Sequence, residues 1–424
     1  MKFFIKNNSI KVLSLNSISV MVSFALGIFS SKIIAFFLGT TGMTFLGSFR
    51  NFTTMSKSIA TLGVSNSLVK LVVENKEDEK ELSLIYSTFF WLFLMISVVV
   101  SSVILIFSSS ISELLFFSTD YKAPIQFFSL TLPFIVINTF WISIYNAFER
   151  FKTIIVIQVV SNVLVFIISA LLIWKQNIVG GLLAIAISEI IMVLVTFIFI
   201  KKEKGFFNFE VKRVLNNKHL KEIRKFSSMA LLSAIIIPLT LISIRNLLIQ
   251  NYSFEEAGIW DAVIRLSGFY MILFSSGLTL YYLPKLASLS TDEEFKNELK
   301  DYFKTLVPLF ILMIILIFIF KDLIIKIAFT QEFNKVSEIL IWQLLGDFFR
   351  IMSLAFGYQI LVKTMMFKFF LIEIVYNLSY FILSYYLMKT FSSEGVVMAY
   401  FYSNLLMFFI LLFMFRKIFY KNHV

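Results

Sequence analysis

The sequence predicts an all-α integral membrane protein with twelve transmembrane helices, arranged as two six-helix lobes around a central cationic cavity. Three observations predict it. The 424 residues are 59% hydrophobic and only 15% charged, and the mean hydropathy of +0.88 lies far outside the range of soluble domains. Charged residues, Gly and Pro divide the chain into apolar runs that approach the roughly 20 residues a spanning helix needs. Seven basic residues, Lys32, Arg50, Lys57, Lys70, Arg245, Arg265 and Arg350, fall inside those runs, where each costs roughly 2.5 to 3.5 kcal/mol unless it faces protein or a water-filled cavity.

The runs cover 12–38, 46–73, 82–107, 124–148, 153–174 and 181–200 in the first half. Those of the second half cover 226–249, 259–283, 305–329, 337–362, 369–388 and 396–415. The first follows Lys2, Lys6 and Lys11 and is too long for a signal sequence, with no small-x-small cleavage pattern, so it reads as an uncleaved span. The expected organisation is an N-terminal lobe over 1–200, a basic linker over 201–225 and a C-terminal lobe over 226–424. The linker carries nine Lys and Arg, which anionic headgroups of membrane lipids attract. With both termini cytoplasmic, 25 of the 38 Lys and Arg lie on the cytoplasmic side and 6 on the outer side, the asymmetry of the positive-inside rule.

The halves share an order of features. Arg50 follows Gly42 and Lys70 follows Gly63, as Arg265 follows Gly258 and Lys285 follows Gly277. Tyr145 precedes Arg150 by five residues, as Tyr358 precedes Lys363. These matches suggest a six-helix unit used twice.

Composition also excludes classes of function. The net charge of +12 comes from cytoplasmic loops and gives no reason to expect nucleic acid. There is no Cys, and His219 and His423 both lie in charged segments, so no metal site or cofactor is expected. There is no Walker motif, and no outward loop exceeds about twenty residues or carries the acidic arrangement that a membrane glycosyltransferase needs. The pattern is that of a passage, not a catalyst.

Arg50, Thr54, Lys57 and Thr61 follow i, i+4, i+7, i+11 spacing, which aligns them as one polar stripe on an apolar helix. That stripe faces away from lipid, with either a cavity or an acid on a neighbouring helix as the partner of Lys57. Lys70, near the cytoplasmic end, can snorkel. Asp347 and Arg350 stand at i, i+3 and Asp261 and Arg265 at i, i+4, so an internal pair competes with a substrate contact at both places. Lys32 and Arg245 have no acid at helical spacing in their own spans, which makes them candidates for an unpaired positive surface. The spans hold few acids. Asp347, Glu373 and Glu189 are the candidates for ion coupling, since a carboxyl without a partner can bind and release a proton, although Glu373 could equally bond to a neighbouring helix. Asn138, Gln158, Asn162, Trp141 and Tyr145 could meet sugar hydroxyls, and helix-to-helix hydrogen bonds explain them as well.

Several stretches resemble the Wzx-type flippases of O-antigen and enterobacterial common antigen. They are Gly258-Ile259-Trp260, Tyr282-Leu283-Pro284, the block Trp342 to Asp347 and Phe356-Gly357-Tyr358, with Phe49-Arg50, Thr119-Asp120-Tyr121 and Lys225-Phe226 in support. Such proteins form the polysaccharide transporter branch of the multidrug/oligosaccharidyl-lipid/polysaccharide exporter superfamily. The resemblance implies a bacterial inner-membrane protein that moves an undecaprenyl-diphosphate-linked oligosaccharide from the cytoplasmic to the periplasmic leaflet by alternating access. A polysaccharide polymerase and a chain-length regulator are further partners it implies. Arg50 and Asp347 sit within the matching motifs. For Lys32, Lys57, Arg245, Arg265 and Arg350 a diphosphate-binding role rests on the cationic-cavity argument. Two other readings compete: a cation-coupled drug or small-solute antiporter of the same superfamily, and a polytopic polymerase or ligase. The first span carries Lys32 and no carboxylate, against the antiporter, and the missing periplasmic loop speaks against the enzyme.

Overall fold

The structure is a computed structural model and describes residues 2–203 and 217–420. All regular structure in them is helical: α1 (Lys2–Ala60), α2 (Ser65–Glu74), α3 (Glu79–Ile106), α4 (Ser108–Phe116), α5 (Lys122–Ala147), α6 (Phe151–Lys202), α7 (Asn217–Asn251), α8 (Phe254–Ser288), α9 (Asp292–Ile319), α10 (Lys321–Ala328), α11 (Lys335–Val362), α12 (Met366–Met414) and α13 (Arg416–Tyr420), with a short 3-10 turn at Gln331–Phe333. Eight helical stretches among the described residues are long and apolar enough to cross a membrane. Most of the expected linker, 204–216, and His423 lie outside the described residues.

Three helices are far too long for one crossing. At 1.5 Å per residue, the 52 residues of α6 would reach roughly 78 Å, against a hydrocarbon core of roughly 30 Å. A single residue breaks each: Gly39 in α1 (φ 63°, ψ −162°), Asn177 in α6 (φ 50°, ψ −129°) and Ser392 in α12 (φ 52°, ψ −132°). Each of these helices therefore holds two of the apolar runs read from the sequence. The expected continuous spans over 46–73 and 305–329 are both corrected. The first is interrupted at Leu62 (φ 51°) and Gly63 (φ 63°) before α2, and the second at Phe320 before the short α10. Gly63 is needed twice over there, because a Cβ would also press on Ala230 of α7, whose backbone carbon is 3.3 Å away. Ser227 Oγ donates to the Leu62 carbonyl at 3.0 Å, satisfying a group that the break exposes.

Local devices recur 215 residues apart. Asn177 and Ser392 are one such pair, and Glu149 and Thr364, at turns with φ 58° and 49°, are another. Around those turns the Arg150 amide donates to Tyr145 and the Met365 amide to Ile360, each at 2.9 Å. A Cβ on Gly180 would run into the Leu172 carbonyl, and one on Gly395 into that of Leu387. In this register Arg50 corresponds to Arg265 and Lys70 to Lys285, whereas Tyr145 corresponds to Ile360 and not to Tyr358.

The chain forms two compact units: Met1–Leu38 with Phe45–Pro238, and Gly39–Thr44 with Leu239–Val424. In unit 1, α5 is the inner helix, packed by α2, α3, α4 and α6. Its core is built on the fully enclosed rings of Phe49, Phe89, Phe93, Phe128 and Phe140; Phe49 meets Phe128 edge-on at 6.1 Å. His219, read from the sequence as part of a charged segment, is buried at the start of α7 with Nε2 3.5 Å from Glu81. In unit 2, α11 is the inner helix, against α8, α9 and α12, with Trp260, Tyr282, Tyr302, Phe295 and Phe356 enclosed.

The turn 39–44 is built into unit 2. Thr44 Oγ1 donates to the Phe254 carbonyl at 2.7 Å, and Gly258 packs so closely that a Cβ would collide with the Thr40 carbonyl. A second staple centres on Glu256. Its carboxylate accepts from Lys335 Nζ at 2.7 Å, Ser392 Oγ at 2.7 Å and Ser393 Oγ at 2.5 Å. One side chain thus joins the starts of α8 and α11 to the break in α12, and holds Ser392 in a backbone conformation that costs on the order of 1–3 kcal/mol.

Candidate functional site

The polar stripe on α1 separates by exposure. Thr54 is exposed, Arg50 and Lys57 are half-buried and Thr61 is buried. Lys57 Nζ lies 2.5 Å from Glu189 Oε1 on α6, so the acid on a neighbouring helix is real, and Glu189 is a partner rather than a solitary carboxylate. Both side chains remain partly accessible, at 31% and 22%, because they form one wall of a cavity of 440 Å³ inside unit 1. α1, α2, α5 and α6 all contribute to it, with Thr61, Asn66, Asn138 and Asn146 among its walls. The break at Leu62–Gly63 makes this possible, since it turns Ser65 and Asn66 of α2 back toward the same space.

Unit 2 holds two buried constellations. In the first, the fully buried Arg245 of α7 meets Asp261 of α8 through Nε–Oδ2 at 2.8 Å and Nη2–Oδ1 at 2.5 Å, with its guanidinium 5.4 Å from the Trp260 ring centroid. This corrects the expectation that Arg245 belongs to an unpaired positive surface. The acid comes from the adjacent helix, where a planar guanidinium can engage both carboxylate oxygens at once. Arg265 is half-buried, 5.8 Å from the Phe269 ring.

The second constellation surrounds Asp347, which is fully buried. Its carboxylate accepts from Ser267 Oγ at 2.6 Å, Tyr400 OH at 2.7 Å, Gln343 Nε2 at 3.3 Å and the Tyr270 hydroxyl. Arg350 interacts electrostatically with Tyr400, Asp347 and Tyr376, so Tyr400 is a neighbour shared by the aspartate and the arginine that sequence spacing puts at i, i+3. Arg350 itself stays exposed. Tyr376 lies near Asn404 and Glu373; the Asn377 amide donates to the Glu373 backbone carbonyl at 2.8 Å.

Of the remaining residues singled out in the sequence, Lys32 is half-buried and Lys70 is exposed, 3.7 Å from Glu74, as a snorkelling residue would be. Asn162 donates to Ser23 Oγ at 2.9 Å, a helix-to-helix bond, and Tyr145 packs into a core cluster with Ile157, Ile191 and Val195. Sequence spacing missed Glu256, Tyr400 and Ser267 as partners, because each acts on a helix far away in the chain.

The profile of the family described as "Polysaccharide biosynthesis protein" matches residues 9–290. The chain belongs to this family. It is 23% identical over 385 residues to the lipid III flippase of Escherichia coli (strain K12), an alignment that covers 90% of this chain and 92% of that protein. The fold is that of a solved lipid II flippase MurJ in an inward closed conformation, with a TM-score of 0.76 at 19% identity, covering 95% of this chain and 89% of that one. It is also that of an inward-facing multidrug resistance MATE family transporter of the MOP superfamily, with a TM-score of 0.70 at 14% identity over 98% of this chain and all of that one. Membership of the polysaccharide biosynthesis family and the long apolar helices together make this a multi-pass membrane protein.

Proposed function

We propose that the protein is a flippase that moves an undecaprenyl-diphosphate-linked oligosaccharide of the O-antigen or enterobacterial common antigen type across the bacterial inner membrane by alternating access. The observation that carries this reading is the near full-length likeness to a lipid III flippase within a polysaccharide biosynthesis family. Counting α1, α6 and α12 as two crossings each turns the eight long apolar stretches into eleven, α8 with its apolar run over 259–283 is the twelfth in this reading, and the Lys and Arg asymmetry favours both termini in the cytoplasm.

The diphosphate of such a lipid needs accessible cations. Arg50 and Lys32 in unit 1 and Arg265 and Arg350 in unit 2 keep accessible surface, and these four are assigned to it. Arg245 is fully enclosed against Asp261, which favours a role in holding the helices over one in binding substrate. Lys57 carries the charge of Glu189 beside it, which weakens its pull on an anion. Asp347 serves Arg350 through Tyr400. The polymerase and chain-length regulator belong to this reading as later steps on the same substrate.

Deleting the gene tests it. The lipid-linked oligosaccharide should accumulate on the cytoplasmic face, and Arg50→Ala should reproduce the accumulation at normal protein level while Arg50→Lys keeps part of the export. Export unchanged by deletion, or a rise in resistance to cationic dyes on expression, would sink the proposal in favour of a drug antiporter.

A further inference from the structure

The cavity in unit 1 has a chemistry of its own. Among the described residues its charged side chains are Lys57 and Glu189, 2.5 Å apart, and their charges cancel. A diphosphate placed there would meet a carboxylate at contact distance, which opposes binding through like-charge repulsion in a poorly screened site. What the walls offer in quantity is amides and hydroxyls. At 440 Å³ the volume falls within the roughly 300–1,000 Å³ of small-ligand pockets.

Asn138 points to a guest. It is only 6% exposed, and among the described residues its Oδ1 accepts no hydrogen bond. A buried acceptor left without a donor costs roughly 1–3 kcal/mol, which a hydroxyl entering the cavity would recover. The neighbouring hydroxyls have spent their protons on their own helices: Thr61 donates to the Lys57 carbonyl at 3.0 Å, Thr139 to Ile135 at 3.1 Å and Ser143 to Thr139 at 2.8 Å. Their oxygens retain lone pairs that can accept. Lys57 Nζ, with three protons and Glu189 as its one partner among the described residues, can still donate. Acceptors and donors of this kind, side by side and without net charge, match a group that both donates and accepts at each vertex. A sugar ring with hydroxyl and acetamido substituents is such a group.

We propose that this cavity binds the sugar portion of the lipid-linked substrate, as an uncharged hydroxyl- and amide-bearing subsite, with Lys57 acting there as a sugar ligand. The assignment rests on the flippase reading above, and separates the recognition of sugar in unit 1 from the recognition of diphosphate by the accessible arginines.

The absence of cysteine in the chain supplies the test. Asn66 lines the cavity and is exposed, so Asn66→Cys carries a unique thiol at the mouth; Ser110→Cys, an exposed position on α4, serves as control. Each purified variant is labelled with a maleimide in the presence of the oligosaccharide released by mild acid from the lipid-linked pool of the deletion strain, or of inorganic pyrophosphate. Oligosaccharide at about twice its dissociation constant, roughly two-thirds occupancy, should slow labelling of Asn66→Cys by about threefold, and pyrophosphate should not; Ser110→Cys should be indifferent to both. Adding Asn138→Leu to Asn66→Cys should abolish the protection while the protein elutes as a monodisperse peak. Protection by pyrophosphate alone, no protection by either probe, or protection that survives Asn138→Leu overturns the proposal. A lipid-linked pool that accumulates but gives no protection removes the subsite and leaves the flippase standing. A strain that accumulates no such lipid removes the flippase reading and the sugar ligand with it.

Discussion

Arg245 on α7 and Asp261 on α8 form a doubly hydrogen-bonded ion pair at 2.8 and 2.5 Å, with neither side chain more than 6% exposed. Burial of this kind makes the pair costly to break from one side, because the remaining charge keeps its desolvation penalty. Arg245→Ala should therefore lose about 3–5 kcal/mol of stability, read as a lower thermal inactivation temperature in detergent and reduced membrane abundance. Arg245→Met with Asp261→Leu, which removes both charges, should recover most of that loss. Wild-type abundance and stability in Arg245→Ala, with export gone, would instead make Arg245 a substrate ligand.

Two glycines on α8, ten residues apart, should respond in opposite directions. A Cβ at Gly258 collides with the backbone of Thr40, whose Cα lies 3.0 Å away, and backbone cannot rotate aside as a flexible side chain can. Gly258→Ala should cost at least the roughly 1–3 kcal/mol of an overpacked contact. At Gly268 nothing stands within 4 Å of the added carbon, so Gly268→Ala should stabilise the helix by roughly 0.5–1 kcal/mol. Comparing inactivation temperatures of the two variants decides it, and equal losses would contradict the close approach of the 39–44 turn to α8.

The sequence already held what depends on neighbours along the chain. Runs of apolar residues located the helices, the gap between the runs 12–38 and 46–73 held the break at Gly39 while the break at Gly63 fell inside a run read as continuous, and the i, i+4, i+7 stripe on α1 contained Lys57, which lines the cavity. The order of Gly and basic residues in the two halves came close to the 215-residue register, missing it where Tyr358 was matched to Tyr145. Partnership across helices was not legible. Asp261 has a basic residue four positions on in its own helix and yet engages Arg245, since two packed helices bring side chains closer than one turn of a single helix can. Asp347 likewise takes three of its four donors from α8 and α12. Asn177 and Ser392 look like ordinary helical residues in sequence, and only their positive φ values reveal the breaks.

The Lys57–Glu189 pair can be tested by exchange. Lys57→Glu alone places two carboxylates side by side and should lower both abundance and export. Lys57→Glu combined with Glu189→Lys restores one charge of each sign in the same cavity wall. If the wall needs neutrality and donors more than a cation at position 57, the exchanged protein should recover abundance and a substantial part of export in a complementation assay. Full abundance without any export would show that position 57 itself needs the ammonium.

Tyr400 is the link whose loss should separate positioning from stability. Its hydroxyl donates to Asp347 at 2.7 Å and interacts electrostatically with Arg350, while three other donors remain on the same carboxylate. Tyr400→Phe should therefore cost only about 1–3 kcal/mol, the range for a buried polar group left short of one partner. Arg350, exposed and without that hydroxyl to hold it, should then bind the diphosphate less well. The expected result in reconstituted vesicles is a raised half-saturating substrate concentration with a smaller change in maximal rate. Asp347→Asn should show the same kinetic shift with a larger loss of stability, since an amide offers only one acceptor oxygen to donors that now reach two. A Tyr400→Phe protein that flips with unchanged kinetics would confine the whole cluster to a structural role.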